Sequence, residues 1–246
     1  MSASGVKSAK LIVALDVPTY EQAAELVAAL GALPVLFKLG GEALFGYGDR
    51  LRDEFERLGI DYFVDAKLHD IPRTVGAGVR ALVRPGVRII NVHALGGHEM
   101  MLAAVDAANA RAHEIGIAVP DVFAVTLLTS HGAADLGELG LQGGPGENVM
   151  RLAALARDAQ CAGVVCSPHE VRDLKSYFGV DFATLCPGIR PTGEVHGDQR
   201  RVANPADAVR AGADYLVVGR PIVEALDPLA ATRAILAEMD TAVHAG

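Results

Sequence analysis

Short, nearly continuous apolar runs recur along the chain. They are LIVALD (11–16), PVLFKL (34–39), DYFVDAK (61–67), VRIINVH (87–93), DVFAVTL (121–127), AGVVCS (162–167), DFATLC (181–186) and DYLVVG (214–219). Most carry β-branched or aromatic residues and alternate little, which is how a parallel strand covered on both faces reads. Their starts lie 23, 27, 26, 34, 41, 19 and 33 residues apart. Each interval has room for a strand, a helix and two short loops.

The segments between them have helical periodicity. Residues 19–30 put Ala23, Leu26, Val27 and Leu30 on one stripe, with Thr19 as the cap and Gln22 as its capping-box partner. Residues 49–58 group Leu51, Phe55 and Leu58, and 98–114, 147–159, 205–211 and 228–239 are Ala-rich and periodic. Gly31, Gly59, Gly116 and Gly212 follow helical stretches, where a left-handed C′ glycine belongs. Eight such units in 246 residues predict a single-domain (β/α)8 barrel over 11–240, with a flexible segment at 1–10 and a tail at 241–246. The alternative is a doubly wound sheet. It usually has fewer strands and a Gly-rich phosphate loop after the first, where this chain has Asp16-Val17-Pro18. The long non-periodic stretches 128–146 and 187–203 both follow strands, so in a barrel both lie at the catalytic face as candidate lids.

Composition narrows the partners. A net charge of −8 and no basic tract argue against a nucleic-acid binder, while leaving an anionic small ligand open. Cys161, Cys166 and Cys186 are too few and too oddly spaced for a disulfide framework or a zinc site, and read as reduced structural thiols. No apolar run is long enough for a membrane span and the first run is too short for a signal peptide, so a cytoplasmic location is expected.

The chemistry is in the charges at the strand ends. On alternation, Asp65 and Lys67 share one face of the third strand, with Ala66 turned to the helices. Asp16 ends the first strand, Lys38 nearly ends the second, and Asp70 follows the third. A barrel gathers these ends at one mouth and predicts an alternating network of Asp16, Lys38, Asp65, Lys67 and Asp70. Charges so tightly flanked by strand must be paired or functional. His69 reads as a packing or capping residue and His93 as a pocket-wall candidate. No H-x-H, H-E-x-x-H or G-x-S-x-G pattern supports a metal site or a serine triad. Gly219 and Arg220 end the eighth strand, where barrels of this type often hold phosphate; Gln199, in the seventh loop, can reach the same place. Arg200 and Arg201 beside it stay ambiguous.

The run FVDAKLHDIPRTV (63–75) resembles the signature of the orotidine 5'-phosphate decarboxylase family. The resemblance extends over nearly the whole chain, through ALD (14–16), FKLG (37–40), NVHALGG (91–97), VTLLTS (125–130), CPGIRP (186–191), DQ (198–199) and VVGRPI (217–222). The D-x-K-x-x-D core alone is shared with magnesium-dependent 3-keto-gulonate-phosphate decarboxylases and hexulose-phosphate synthases. Lys38, the Pro187-to-Gln199 loop and the Ser130 segment favour the orotidylate enzymes.

The resemblance implies decarboxylation of orotidine 5'-phosphate to uridine 5'-phosphate without metal or other cofactor. It implies that Asp16 and Lys38 contact the ribose, that Asp65 sits beside the substrate carboxylate and that Lys67 protonates C6. Ser130 would bind the pyrimidine edge, with Pro187 against the ring and Thr126 near the phosphoribosyl group. Gln199, Gly219 and Arg220 would hold the phosphate. Asp70, Ile71 and Thr74 would enter the pocket of a neighbouring subunit, in a homodimer with sites at the interface. Three rivals remain: a magnesium-dependent phosphosugar lyase, an isomerase or aldolase using Glu or a Schiff-base Lys, and a non-catalytic nucleotide-binding barrel.

Overall fold

The computed structural model describes residues 9–191 and 203–244. Its strands are β1 (Lys10–Ala14), β2 (Val35–Leu39), β3 (Tyr62–Leu68), β4 (Val87–His93), β5 (Asp121–Val125), β6 (Gly163–Val165), β7 (Ala183–Cys186) and β8 (Tyr215–Val218). They pair in parallel in chain order, and β8 closes on β1 to form the expected barrel. Helices α1 (Tyr20–Leu30), α2 (Gly41–Gly46), α3 (Gly48–Leu58), α4 (Pro72–Leu82) and α5 (His98–Ile115) alternate with the first five strands. Then come α6 (Ala133–Glu138), α7 (Pro145–Asp158), α8 (Val171–Phe178), α9 (Pro205–Ala211), α10 (Arg220–Val223) and α11 (Pro228–His244).

The apolar runs are continuous because both strand faces are buried. Leu11 and Val13 of β1 pack outward into the strand–helix layer, while Ile12 and Ala14 point into the barrel. Phe63, Ile89, Phe123, Val125, Val165, Leu185 and Val217 fill that interior with them. Side chains therefore plug the barrel and leave only its C-terminal mouth open.

The helices follow the sequence pattern closely. In α1, Ala23, Leu26, Val27 and Leu30 are buried, and the Thr19 hydroxyl accepts from the Gln22 N–H at 3.3 Å. Two details differ. Leu58, the last residue of α3, is exposed although Leu51 and Phe55 are buried. Gly31 is right-handed (φ −63°), whereas Gly59, Gly116 and Gly212 are left-handed caps. The chain leaves α1 through a continuing turn, so its glycine does not take the C′ conformation.

Helix α4, which the sequence reading passes over although Val75, Val79 and Leu82 recur at helical spacing, packs against α5 through Gly76. A Cβ on Gly76 would stand 3.3 Å from the Ala103 carbonyl oxygen. Gly78 faces β3 instead, where a Cβ would stand 3.2 Å from Leu68 Cδ1. In the 128–146 stretch, α6 supplies one short helix. The ends of the 187–203 stretch are joined, since Arg190 N–H donates to the Ala203 carbonyl at 3.0 Å. The final helix continues to residue 244, beyond position 240.

Candidate active site

A cavity of about 500 Å³ opens at the C-terminal ends of the strands. Its apolar lining includes Ala14, Phe63, Val125, Val165, Leu185 and Val217, the upper layer of the barrel plug. Asp16, Lys38, Asp65, Lys67 and Asn91 line one side, and Gly219 and Arg220 line it from beyond β8. Ser130 and Pro187 belong to the lining as expected.

The charged side chains are joined in sequence. Lys38 Nζ lies 3.1 Å from Asp16 Oδ1 and 3.0 Å from Asp65 Oδ2, and Lys67 Nζ lies 2.6 Å from Asp65 Oδ1. Asp65 and Lys38 are buried; Asp16 and Lys67 are partly open to the cavity. Burial pushes the Asp65 carboxyl up, but the Lys38 and Lys67 ammoniums and hydrogen bonds from Lys67 and Asn91 outweigh it and hold the group at about 2. Burial pushes Lys38 down, and Asp65 with Asp16 more than reverses that, so Lys38 is raised. Each buried charge thus keeps its partner ionised. Tyr47 steadies the loop after β1 by donating its hydroxyl to the Val17 carbonyl at 2.7 Å.

The five-member network expected from the strand ends is a four-member chain. Asp70 lies beyond β3, exposed, and its carboxylate accepts from the Ile71 N–H at 2.6 Å. Ile71 and Thr74 are exposed beside it, away from the cavity lining. Thr126 is also outside the lining. It follows Val125, which points inward, so alternation turns it behind the barrel wall, where its hydroxyl donates to the Val165 carbonyl at 2.8 Å. His93 is no pocket wall: its ring packs on that of His69, 5.6 Å between centroids. Burial, with His69 and Lys67 near, lowers His93 to about 4. Gln199, Arg200 and Arg201 lie outside the described residues.

Asp65 and Lys67 do share a side, but simple alternation is not the reason. Lys67 has φ +46°, a left-handed conformation for a residue with a long side chain. The β3–β4 register shifts there, from Val64↔Ile90 to Leu68↔Val92. This bulge aims the Lys67 ammonium back at Asp65. Sequence reasoning missed four polar lining residues: Asn91, Thr129, Arg190 and Glu224. Asn91 interrupts the buried apolar run Ile89-Ile90-Asn91-Val92 of β4, which is the signal that could have found it. Arg190 is nearly buried and donates to the Ile189 carbonyl at 2.9 Å. Cys166, read as structural, also reaches the lining. All three cysteines are buried and unbridged.

Fold and site define a (β/α)8 barrel that gathers paired lysines and aspartates at the catalytic mouth of its strands. Residues 9–235 match the Orotidine 5'-phosphate decarboxylase / HUMPS family, and the chain belongs to it. It is 46% identical to the orotidine 5'-phosphate decarboxylase of Halorhodospira halophila over 233 residues, 95% of this chain and 97% of that one. The decarboxylase of Moorella thermoacetica is 45% identical over 232 residues, 94% of this chain and 92% of its own. The crystal structure of the Lactobacillus acidophilus orotidine 5'-phosphate decarboxylase superposes with a TM-score of 0.83 at 37% identity, covering 94% of this chain and 99% of that one. No helix among the described residues is long and apolar enough to cross a membrane.

Proposed function

We propose that this protein converts orotidine 5'-phosphate to uridine 5'-phosphate and CO2 in pyrimidine biosynthesis. The observation that carries the reading is the Asp16–Lys38–Asp65–Lys67 chain, set against an apolar cavity in a barrel whose nearly full-length relatives bear that activity.

The C6–carboxylate bond breaks, its electron pair stays on C6 in the ring plane, and CO2 leaves. No carbonyl is placed to take that pair as an ordinary enolate, so the site must stabilise charge as it forms and then protonate carbon. Lys67 does both: its ammonium faces the developing carbanion and then gives C6 a proton. Asp65 is held ionised near 2 and stands where it repels the reactant carboxylate more than neutral CO2. Lys38 keeps Asp65 charged, and with Asp16 it meets the ribose hydroxyls. Ser130 and Pro187 bound the pyrimidine. Gly219, Arg220 and Gln199 hold the phosphate, remote from the bond that breaks, so that its binding energy can be used at the reacting centre.

The exposed Asp70, Ile71 and Thr74 complete the reading. A 64% exposed isoleucine just beyond β3, the strand that carries Asp65 and Lys67, suits insertion into the site of a second copy, in a two-fold dimer. The test of the activity is incubation with orotidine 5'-phosphate after exhaustive chelation, following substrate absorbance and CO2. Undiminished turnover is expected. Activity that vanishes with chelator and returns with magnesium would replace this reading with a magnesium-dependent phosphosugar lyase.

A further inference from the structure

We propose that Asn91 is a positioning residue for the reaction, a single side-chain amide that holds the Lys67 backbone in its left-handed conformation and fixes the Asp65 carboxylate between the two lysines. The proposal rests on the functional reading above, since it concerns how Lys67 and Asp65 are held.

The ladder explains why one residue can do both. Between the Val64↔Ile90 and Leu68↔Val92 pairs, Asp65, Ala66 and Lys67 of β3 stand opposite Asn91 alone. A bulge of this kind takes backbone groups out of the ladder. The Asn91 side chain replaces what is lost: its Oδ1 accepts from the Lys67 N–H at 2.8 Å, and its Nδ2 donates to Asp65 Oδ1 at 2.6 Å. Ile90 and Val92 on either side pack outward into the helix layer, so Asn91 turns inward, 1% exposed.

The two bonds leave the amide one orientation, oxygen toward the N–H and nitrogen toward the carboxylate. Asp65 Oδ1 also receives the Lys67 ammonium at 2.6 Å. Backbone and head group of Lys67 are therefore both tied to Asn91, one directly and one through Asp65. Only a neutral side chain with both a donor and an acceptor fits. Alanine offers neither, and a carboxylate would face Asp65 charge to charge.

That last point gives a readout that a merely structural role would not move. The groups around the position are Asp65 and Lys67 on β3, Lys38 on β2 through Asp65, and His93 on β4, itself near His69 and His131. In the wild type Asp65 stays ionised above about 2. In Asn91→Asp the introduced carboxyl must keep a proton to donate to Asp65, and it loses that proton as pH rises.

The experiment compares full-length wild type, Asn91→Ala and Asn91→Asp for kcat and KM on orotidine 5'-phosphate, from about pH 5 to 9, with circular dichroism as the control for folding. Asn91→Ala should lower kcat roughly 10²-fold, the scale of a misplaced catalytic group, with KM near the wild-type value because the ribose and phosphate contacts remain. Asn91→Asp should gain kcat as pH falls, in a range where the wild type does not. A folded Asn91→Ala with wild-type kcat, or an Asn91→Asp loss equal at every pH, overturns the proposal. Failure of both variants to fold also overturns it, by making Asn91 a residue of the fold. A wild type inactive on orotidine 5'-phosphate would sink the functional reading first, and this one with it.

Discussion

Lys38 Nζ stands 3.0 Å from Asp65 Oδ2, with both side chains 8% exposed, and each is the other's buried partner: the further ion pairs, Asp16 on Lys38 and Lys67 on Asp65, are with side chains open to solvent. Removing one partner of a buried pair leaves an uncompensated charge and costs about 3–5 kcal/mol. Asp65→Asn should therefore destabilise the fold by that order in denaturant titration at neutral pH, as well as remove activity. The pH dependence follows from the shifts. Asp65 is depressed from 3.8 to about 2, so its contribution is present above 3.8 and is lost as pH falls through 2. Lys38 is raised from 10.5, so its contribution is present below 10.5 and is lost only above it. Wild-type minus Asp65→Asn stability should be flat through neutral pH and should shrink below pH 3.8. A difference that grows with acid would contradict the pairing.

Lys67 combines function with strain. Its φ of +46° is a region where a side chain costs about 1–2 kcal/mol and glycine costs nothing. Both Lys67→Ala and Lys67→Gly should lose the proton donor and at least about 10²–10⁴-fold in kcat. Their stabilities should rank against the usual order within a strand, glycine above alanine by about 1 kcal/mol. Equal melting temperatures would show that the conformation is not strained.

Gly40 is where the site meets the backbone. A Cβ there would lie 2.6 Å from Asp16 Oδ1 and 2.8 Å from Lys38 Nζ, whereas one on Gly41 would meet only the exposed Phe45 ring, at 3.8 Å. Gly40 has φ −86°, open to any residue, so the cost of Gly40→Ala is the clash alone. Gly40→Ala should cut kcat/KM by roughly 10²-fold, as ångström-scale displacement of a catalytic group does. Gly41→Ala should leave it unchanged. Parallel kinetics on the two variants give the comparison, and equal effects would remove the argument.

Most of the barrel is legible in the sequence because two-sided burial makes each strand a dense apolar run. The ionic chain is legible because Asp65 and Lys67 interrupt one of those runs. What escapes has physical causes. In α4 the Val75–Val79–Leu82 stripe is interleaved with two poor helix formers, Gly76 packed on α5 and Gly78 on Leu68 of β3. The Lys67 bulge breaks the period-two rule while preserving its result, so alternation reaches the right face by the wrong path. Thr126 shows the opposite error: its motif suggested the pocket, but its parity along the chain places it behind the wall. Asn91 was passed over inside NVHALGG because its importance lies in its register against β3, and register is a property of two strands.

Asp70 gives a test of assembly. It is exposed, and its carboxylate is engaged with its own neighbouring Ile71 N–H. If it serves a second copy's site, Asp70→Ala and Lys67→Ala homodimers should each be inactive. Mixing them should restore activity, because one site of each heterodimer then has both native residues. The measurement is turnover after subunit exchange, monitored with a tagged copy. Exchange without recovery would place Asp70 in its own chain's site.

Arg220 tests the phosphate end. It follows Gly219 at the end of β8, the strand that pairs with β1, and lines the cavity, where a guanidinium can grip a phosphate with two parallel bonds. Hydrogen bonds to charged groups are worth roughly 1.5–3 kcal/mol each. Arg220→Ala should therefore lower kcat/KM for orotidine 5'-phosphate by about ten- to a hundredfold or more. Arg220→Lys should recover only part, since an ammonium lacks the fork. The phosphate-free nucleoside orotidine supplies the control. It cannot use the contact in the wild type, so it has little to lose in the variant, and the preference for nucleotide over nucleoside should collapse. The decisive numbers are the four kcat/KM values for two substrates and two proteins. If Arg220→Ala slows both substrates by the same factor, Arg220 is not reading phosphate. The nearly buried Arg190, on the same cavity wall as Pro187, then becomes the cation to replace next.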